Sequence, residues 1–326
     1  MTAPPPTGSA PARGPVMLGV EGLTLTTADR ARLADPRVGG VILFRRNFAS
    51  STQLRALTAA IRKLRANLLI GVDHEGGRVQ RFRGDEFSII PPMRSLGEQW
   101  ETDPPGANEA AYACGLTIAR ELRTHGIDFS FTPVLDLDYG TSAVIGDRAF
   151  HDDPVIVADL AGALVRGLKA GGCGAVGKHF PGHGYVAADS HVDAAIDERP
   201  LDAILQADIL PFAALIRQEL AAIMPAHVVY PAVDPRPAGF SRTWIEQILR
   251  GRLQFEGLVF SDDLEMAGAH EAGDIVARAD AALAAGCDVV LVCNDFGAMD
   301  DLLARWTPPL QDQLQRRWRA IAPDSR

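Results

Sequence analysis

Eight short runs of apolar, often β-branched residues recur along the chain: VMLGV (16–20), GVILF (40–44), LLIGVD (68–73), FSFTPVLDL (129–137), AVGKH (175–179), AAIMPAH (221–227), GLVFSDD (257–263) and DVVLVC (288–293). Their apolar residues are largely consecutive rather than alternating with polar ones, the pattern of strands buried on both faces of a parallel sheet. Between them, apolar residues spaced three or four apart predict helices over 51–66, 107–125, 153–170, 201–219, 241–251 and 270–285. Asp153 before Pro154 and Ser241 before RTWIEQIL supply short side-chain oxygens that accept the orphan amide protons of a first helical turn. Eight strands with interposed helices predict a single closed (β/α)8 TIM-type barrel, with an open doubly wound sheet as the alternative. The glycine-rich nucleotide-binding signatures that would favour the open sheet are absent.

Two stretches interrupt the rhythm. Residues 74–106 contain GGRVQRFRG, Pro91-Pro92 and DPPG, and read as a long βα excursion over one barrel end. The link ADRARLADPRVG between the first two strands offers at most a brief helix, so the barrel is expected to be slightly irregular there. Residues 1–13 have no apolar core; they read as a flexible tail before one catalytic domain at 14–326, and as neither a signal peptide nor a membrane anchor.

Composition narrows the function classes. Of 326 residues, 47% are hydrophobic, enough for one large core. The net charge is -9, and the short basic runs RKLR (62–65) and RRWR (316–319) lie in helix-like segments, so nucleic acid is not an expected partner. Cys114, Cys173, Cys287 and Cys293 are widely spaced in apolar surroundings, as buried free thiols of a reducing compartment are. A cytoplasmic monomer without a membrane partner is the expectation.

Polar residues gather at the strand ends: Arg45-Arg46, Asp73-His74-Glu75, Asp136 and Asp138, Lys178-His179, His227, Asp262-Asp263 and Asn294-Asp295. In a barrel these ends meet on one face, where the βα loops build the chemistry. Asp73 suits a polyhydroxylated ligand, or pairs with an arginine of the following GGRVQRF to tie the excursion down; Arg81 is the candidate from that run. Arg148, in VIGDRAF, holds a ligand or braces Asp136 or Asp138.

The stretch KHFPGHGYVAADSHVD (178–193) brings His179, His183 and His191 together. A metal site, with Asp189 and Asp262 as further ligands, is open to it, although a Gly/Pro loop lacks the rigid helix that aims a HExxH pair. The alternative is acid/base chemistry, with Asp189 fixing the tautomer of His191. A serine hydrolase is disfavoured, because GxSxG is missing and Ser190 lies inside the dyad. In SDD (261–263), a carboxylate can attack a carbon bearing developing positive charge, or simply cap the next turn, the bland reading of Asp263.

In order and separation, GVDHEGGRVQRF, FTPVLDLD, VIGDRAF, KHFPGHG followed by DSH, and FSDDLEMAGA resemble the family 3 β-N-acetylglucosaminidases that recycle bacterial cell-wall fragments, over roughly residues 16–295. The resemblance implies a (β/α)8 barrel and a retaining glycosidase with Asp262 as nucleophile and His191, oriented by Asp189, as acid/base. It also implies that Asp73, Arg148, Lys178 and His179 grip the sugar hydroxyls. The implied substrate is β-linked GlcNAc on 1,6-anhydro-N-acetylmuramic acid, with or without peptide, and no cofactor or metal is implied.

Two departures stand out. His74 occupies the position of a glutamine in the family's DQEGG, and VDAAID follows DSH without the proline common there. The rival readings are a phosphorylase, a substrate-assisted hydrolase using the acetamido oxygen, and an amino-sugar-binding protein without turnover.

Overall fold

The computed structural model describes residues 12–187, 195–309 and 311–322. Eight parallel strands close into a barrel: β1 (Val16–Gly19), β2 (Val38–Leu43), β3 (Leu69–Val72), β4 (Phe129–Ser130), β5 (Gly174–Phe180), β6 (Ala222–Pro225), β7 (Leu258–Asp263) and β8 (Val289–Val292). Each strand pairs with its neighbours in sequence, and β8 closes on β1. All eight expected strands are present. The first unit is irregular as anticipated: the β1–β2 register shifts between Val16 and Met17, and the linking helix Thr27–Ala34 has only eight residues. Thr26 and Asp29 cap its first turn reciprocally, at 3.0 Å in each direction.

The barrel interior is a packed layer of side chains rather than a pore. Phe129 stacks on Phe260 at 5.6 Å, and Phe131 meets both edge-on at 5.2 and 5.3 Å. Gly71 is required beside this cluster, since a Cβ there would lie 2.6 Å from the Phe129 ring. Trp318, on the helix Leu314–Ile321, closes the floor against Phe260. A second apolar layer fills the space between strands and helices and holds the buried thiols of Cys173 and Cys287.

Departures from the expected elements have local causes. The run FSFTPVLDL pairs regularly only over Phe129–Ser130, because Pro133 has no amide to donate; the chain then continues beside β5, with Leu135 N–H donating to the Lys178 carbonyl at 2.6 Å. The helix expected over 201–219 is two, Leu201–Gln206 and Ile209–Arg217, since Pro211 cannot donate to the Ala207 carbonyl. The helix expected from 270 begins at Ile275, after Gly273 at φ +104° and a cap by Asp274. The excursion over 74–106 folds as a hairpin, His74–Gly76 with Val79–Gln80, and the helix Arg94–Trp100. Asp153 and Ser241 cap as expected, accepting from Val155 N and Trp244 N. Arg13, at the end of the expected tail, is held by Gln315 and by the Asn67 carbonyl. Among the described residues, no helix is long and apolar enough to cross a membrane.

The floor carries one fastening twice. Asp128, just before β4, accepts the Ile70 amide of β3 at 2.8 Å and the Arg62 guanidinium, while Arg123 binds its other oxygen at 2.8 Å. Asp288, just before β8, accepts the Val259 amide of β7 at 2.8 Å and Arg250 at 2.9 Å, while Arg317 binds its other oxygen. Both aspartates are nearly buried, so removing either leaves two guanidinium groups and a strand amide without their acceptor. Asp128→Ala and Asp288→Ala are each expected to cost on the order of 3 kcal/mol in urea denaturation. Ligand binding and any turnover at the opposite face should remain near wild type at room temperature, because the floor is remote from it.

Candidate active site

At the carboxyl ends of the strands lies a cavity of about 590 Å³, a volume suited to a small ligand. Asp73, Arg81, Arg148, Lys178, His179 and Asp262 all line it. Sequence reasoning singled out these six from four separate motifs, and the barrel brings them together. The other two candidates, Asp189 and His191, fall in 188–194, outside the described residues.

One wall is a buried charge network. Lys178, near the end of β5, places its ammonium 2.7 Å from Asp73 Oδ1 and 2.7 Å from Glu75 Oε1. Arg148 grips both Glu75 oxygens, at 2.8 and 2.9 Å, and Arg81 reaches Asp73 Oδ2 at 3.2 Å. Burial alone pushes both carboxyls up, but the surrounding cations outweigh it: Lys178 and Arg81 hold Asp73 well below the usual carboxylate range, and Arg148 and Lys178 bring Glu75 down to about 2. Both are therefore ionised at neutral pH, with oxygens able to accept hydroxyl protons at the cavity wall.

Arg148 thus braces Glu75, and neither Asp136 nor Asp138 as its loop position suggested. Asp138 pairs instead with Arg94 in a separate groove. Glu75, named among the strand-end residues, was not singled out for the site, although the signal was present: in an extended Asp-His-Glu, residues two apart face the same side.

Asp136, fully buried, organises the turn after β5. Its Oδ1 accepts the His183 amide at 2.7 Å and the His179 amide at 3.2 Å, while Oδ2 lies 2.7 Å from His179 Nδ1. Desolvation raises its pKa, but His179 and His183 more than reverse this and it stays below the ordinary value. An ionised carboxylate only accepts, so Nδ1 of His179 carries a proton, and in the neutral ring Nε2 is left as an acceptor for a ligand hydroxyl. His183 also lines the cavity, its ring 5.9 Å from that of His179, and burial lowers its pKa.

On the opposite side, Asp262 ends β7 half-buried at the cavity wall, with Oδ1 accepting the Asp263 amide at 2.8 Å. Asp263 accepts the Glu265 amide at 3.1 Å, the turn-capping part foreseen for it. Its carboxyl is raised by burial and by the neighbouring Glu265 carboxylate. Of the other strand-end residues, Asn294 lines the cavity, His227 is buried with Nε2 3.2 Å from the Asp263 carbonyl, and Arg46 spans the Val20 and Cys293 carbonyls. Among the described residues, no three metal-ligating side chains converge as a metal site would require. The arrangement sets the Asp262 side chain in the same polar cavity as Asp73, Arg81, Arg148, Lys178 and His179, groups able to hydrogen-bond hydroxyls.

The sequence signature of the glycosyl hydrolase family 3 N terminal domain spans residues 16–305. A beta-hexosaminidase of Aromatoleum aromaticum is 59% identical over 309 residues, covering 94% of this chain and 87% of that protein. The chain belongs to glycosyl hydrolase family 3. A further family 3 relative, a beta-hexosaminidase of Chromobacterium violaceum, is 58% identical over 315 residues, 96% of this chain and 88% of its own. Among solved structures, NagZ from Neisseria gonorrhoeae in complex with N-trifluoroacetyl-D-glucosamine superimposes with a TM-score of 0.93 at 50% identity, over 97% of this chain and 92% of that one.

His74 sits just behind the charged wall of this family 3 hydrolase. Its ring is fully buried beside Phe82 and Phe87, at 5.9 and 5.6 Å, and neither ring nitrogen has a hydrogen-bond partner among the described residues. Burial, assisted by the nearby Arg83 and Arg81 charges, lowers its pKa from 6.5 to about 3. As pH falls from 6.5 toward 3, the unfolded chain takes up a proton that the folded protein refuses, so folding weakens by up to about 1.4 kcal/mol per pH unit. Whatever its stability at neutral pH, His74→Gln should lose less than wild type between pH 7 and pH 4.5. Urea midpoints at the two pH values measure the difference.

Proposed function

We propose that this family 3 hydrolase is a retaining exo-β-N-acetylglucosaminidase that removes β-linked GlcNAc from 1,6-anhydro-N-acetylmuramic acid and its peptide forms. The observation that carries the reading is Asp262 at the β7 exit, lining one cavity with the ionised Asp73/Glu75 wall and with Lys178, Arg148, Arg81 and His179. The beta-hexosaminidase names of the relatives support an amino-sugar substrate, as does the N-acylated glucosamine held by the Neisseria gonorrhoeae structure. A small carbohydrate suits the cavity volume, and a monomer is the proposed state. Recycling of wall fragments implies a cytoplasmic location, in keeping with four cysteines of which none is paired.

In this mechanism a carboxylate oxygen of Asp262 attacks the anomeric carbon as the glycosidic C–O bond breaks. His191, as imidazolium oriented by Asp189, gives its proton to the departing oxygen. The neutral imidazole then takes a proton from water, whose oxygen attacks the anomeric carbon and releases Asp262 from the ester. Two inversions leave the β configuration unchanged. Meanwhile the wall holds the sugar: Asp73 and His179 Nε2 accept hydrogen bonds from hydroxyls, and Arg148, Arg81 and Lys178 donate to hydroxyl oxygens while keeping both carboxylates charged.

Wild type is expected to release 4-nitrophenol from its β-GlcNAc glycoside, and Asp262→Asn to lose at least about a thousandfold in kcat. A 2-fluoro sugar should label the peptide that contains Asp262; a label elsewhere, or comparable turnover by Asp262→Asn, overturns the assignment. In phosphate buffer the product should be free GlcNAc, and a sugar phosphate would replace hydrolysis with phosphorolysis.

A further inference from the structure

The connection leaving β5 departs through Gly182 and Tyr185 and returns through Ala195–Ile196, which pairs with Val228–Val229. Both arms meet at one side chain. The Arg199 guanidinium binds Asp197 through Nε at 3.0 Å and Nη2 at 2.6 Å, and its Nη1 lies 2.9 Å from both the Tyr139 hydroxyl and Asp208 Oδ2. Its plane packs on two rings, 4.1 Å from the Tyr185 centroid and 4.9 Å from that of Tyr139, and these rings meet edge-on at 5.3 Å.

The partners are themselves fastened. Asp197 is fully buried, and its amide donates to the Val229 carbonyl at 2.9 Å. Asp208, also buried, accepts the Tyr139 hydroxyl at 3.0 Å and lies directly against Gly182, where φ is +140° and a Cβ would come within 2.7 Å of the aspartate. The Gly182 carbonyl accepts the Tyr230 hydroxyl at 2.6 Å, and the Tyr185 carbonyl accepts Thr141 Oγ1 at 3.0 Å. A single planar cation therefore ties the outgoing arm, the returning arm, the β4 exit and the helix break at Asp208. No part of the cluster lines the sugar cavity.

We propose that Arg199 is a positioning residue for protonation of the leaving group: by clamping the two arms that flank Asp189 and His191, it fixes the ends between which the proton donor is carried. The inference rests on the reading of His191 as acid/base. A planar fork that makes hydrogen bonds at its edge and stacks on its face is needed for this, and lysine supplies neither. Loss of the clamp leaves Asp262 and the sugar-binding wall intact and misplaces only the donor, so the cost depends on how much help the departing oxygen needs.

The test compares kcat/KM, which reports formation of the glycosyl ester, for methyl β-GlcNAc and for 2,4-dinitrophenyl β-GlcNAc. The methyl glycoside needs a proton on its leaving oxygen, and the dinitrophenolate departs without one. Arg199→Lys, checked for folding by thermal denaturation, and Tyr185→Ala, which removes only a ring that is 43% exposed, are measured beside His191→Ala. Both clamp variants should lose roughly tenfold or more on the methyl glycoside and less than about twofold on the dinitrophenyl glycoside, the same pattern as His191→Ala at smaller amplitude. Equal losses on the two substrates, or none on either, overturn the positioning role. If His191→Ala itself fails to discriminate between the substrates, the acid/base assignment falls and the inference falls with it. Discrimination by His191→Ala but not by the clamp variants overturns the inference alone.

Discussion

The upper face of the barrel turns on a lysine ammonium held between two carboxylates in a nearly dry wall. Without Lys178, Asp73 and Glu75 would repel each other, and only Arg81 and Arg148 would be left to oppose the upward push of burial on both carboxyls. With it, the exit of β3 and the exit of β5 are tied across β4, and Arg148 joins the loop at 144–148 to the same knot. The desolvation of so many charges is costly in itself, and such a network is poor evidence of stability. In the proposed reaction its value lies in presenting fixed, charged oxygens and donors to a hydroxylated ligand without reorganisation when the ligand arrives.

Asp136 plays the complementary part on neutral groups. One carboxylate orients the His179 ring and takes the amides of His179 and His183, so both ends of the Gly/Pro-rich turn after β5 are held by one side chain. The two systems divide the labour of the cavity: ionic contacts hold the wall, and a carboxylate-histidine contact sets a tautomer. Asp262 stands apart from both, which suits a group that must change its bonding during a reaction rather than hold still.

Most of the architecture was legible in the sequence because strands buried on both faces must be apolar without interruption, and eight such runs leave few alternatives to a closed barrel. Helix ends were legible where a short oxygen side chain precedes the first turn, as at Asp153 and Ser241. Less visible were effects requiring a missing amide to be counted: Pro133 shortens β4, and Pro211 divides the helix expected over 201–219. At the site, the residue types that face the cavity could be read from strand ends, but their pairing could not. Arg148 has several acids within reach of its loop, and only the closed barrel shows that Glu75 accepts from its Nε and Nη2.

The floor fastenings at Asp128 and Asp288 lie half a barrel apart, and each is closed within its own half of the chain: Arg62 and Arg123 precede β5, and Arg250 and Arg317 follow it. The same three-part knot, formed by an arginine from the preceding helix, a strand amide and a second arginine, recurs at matching places. Each half of the barrel therefore carries its own floor clasp, neither clasp crosses the seams at β4–β5 and β8–β1, and those seams are natural places for a split or permuted version of the chain to be joined.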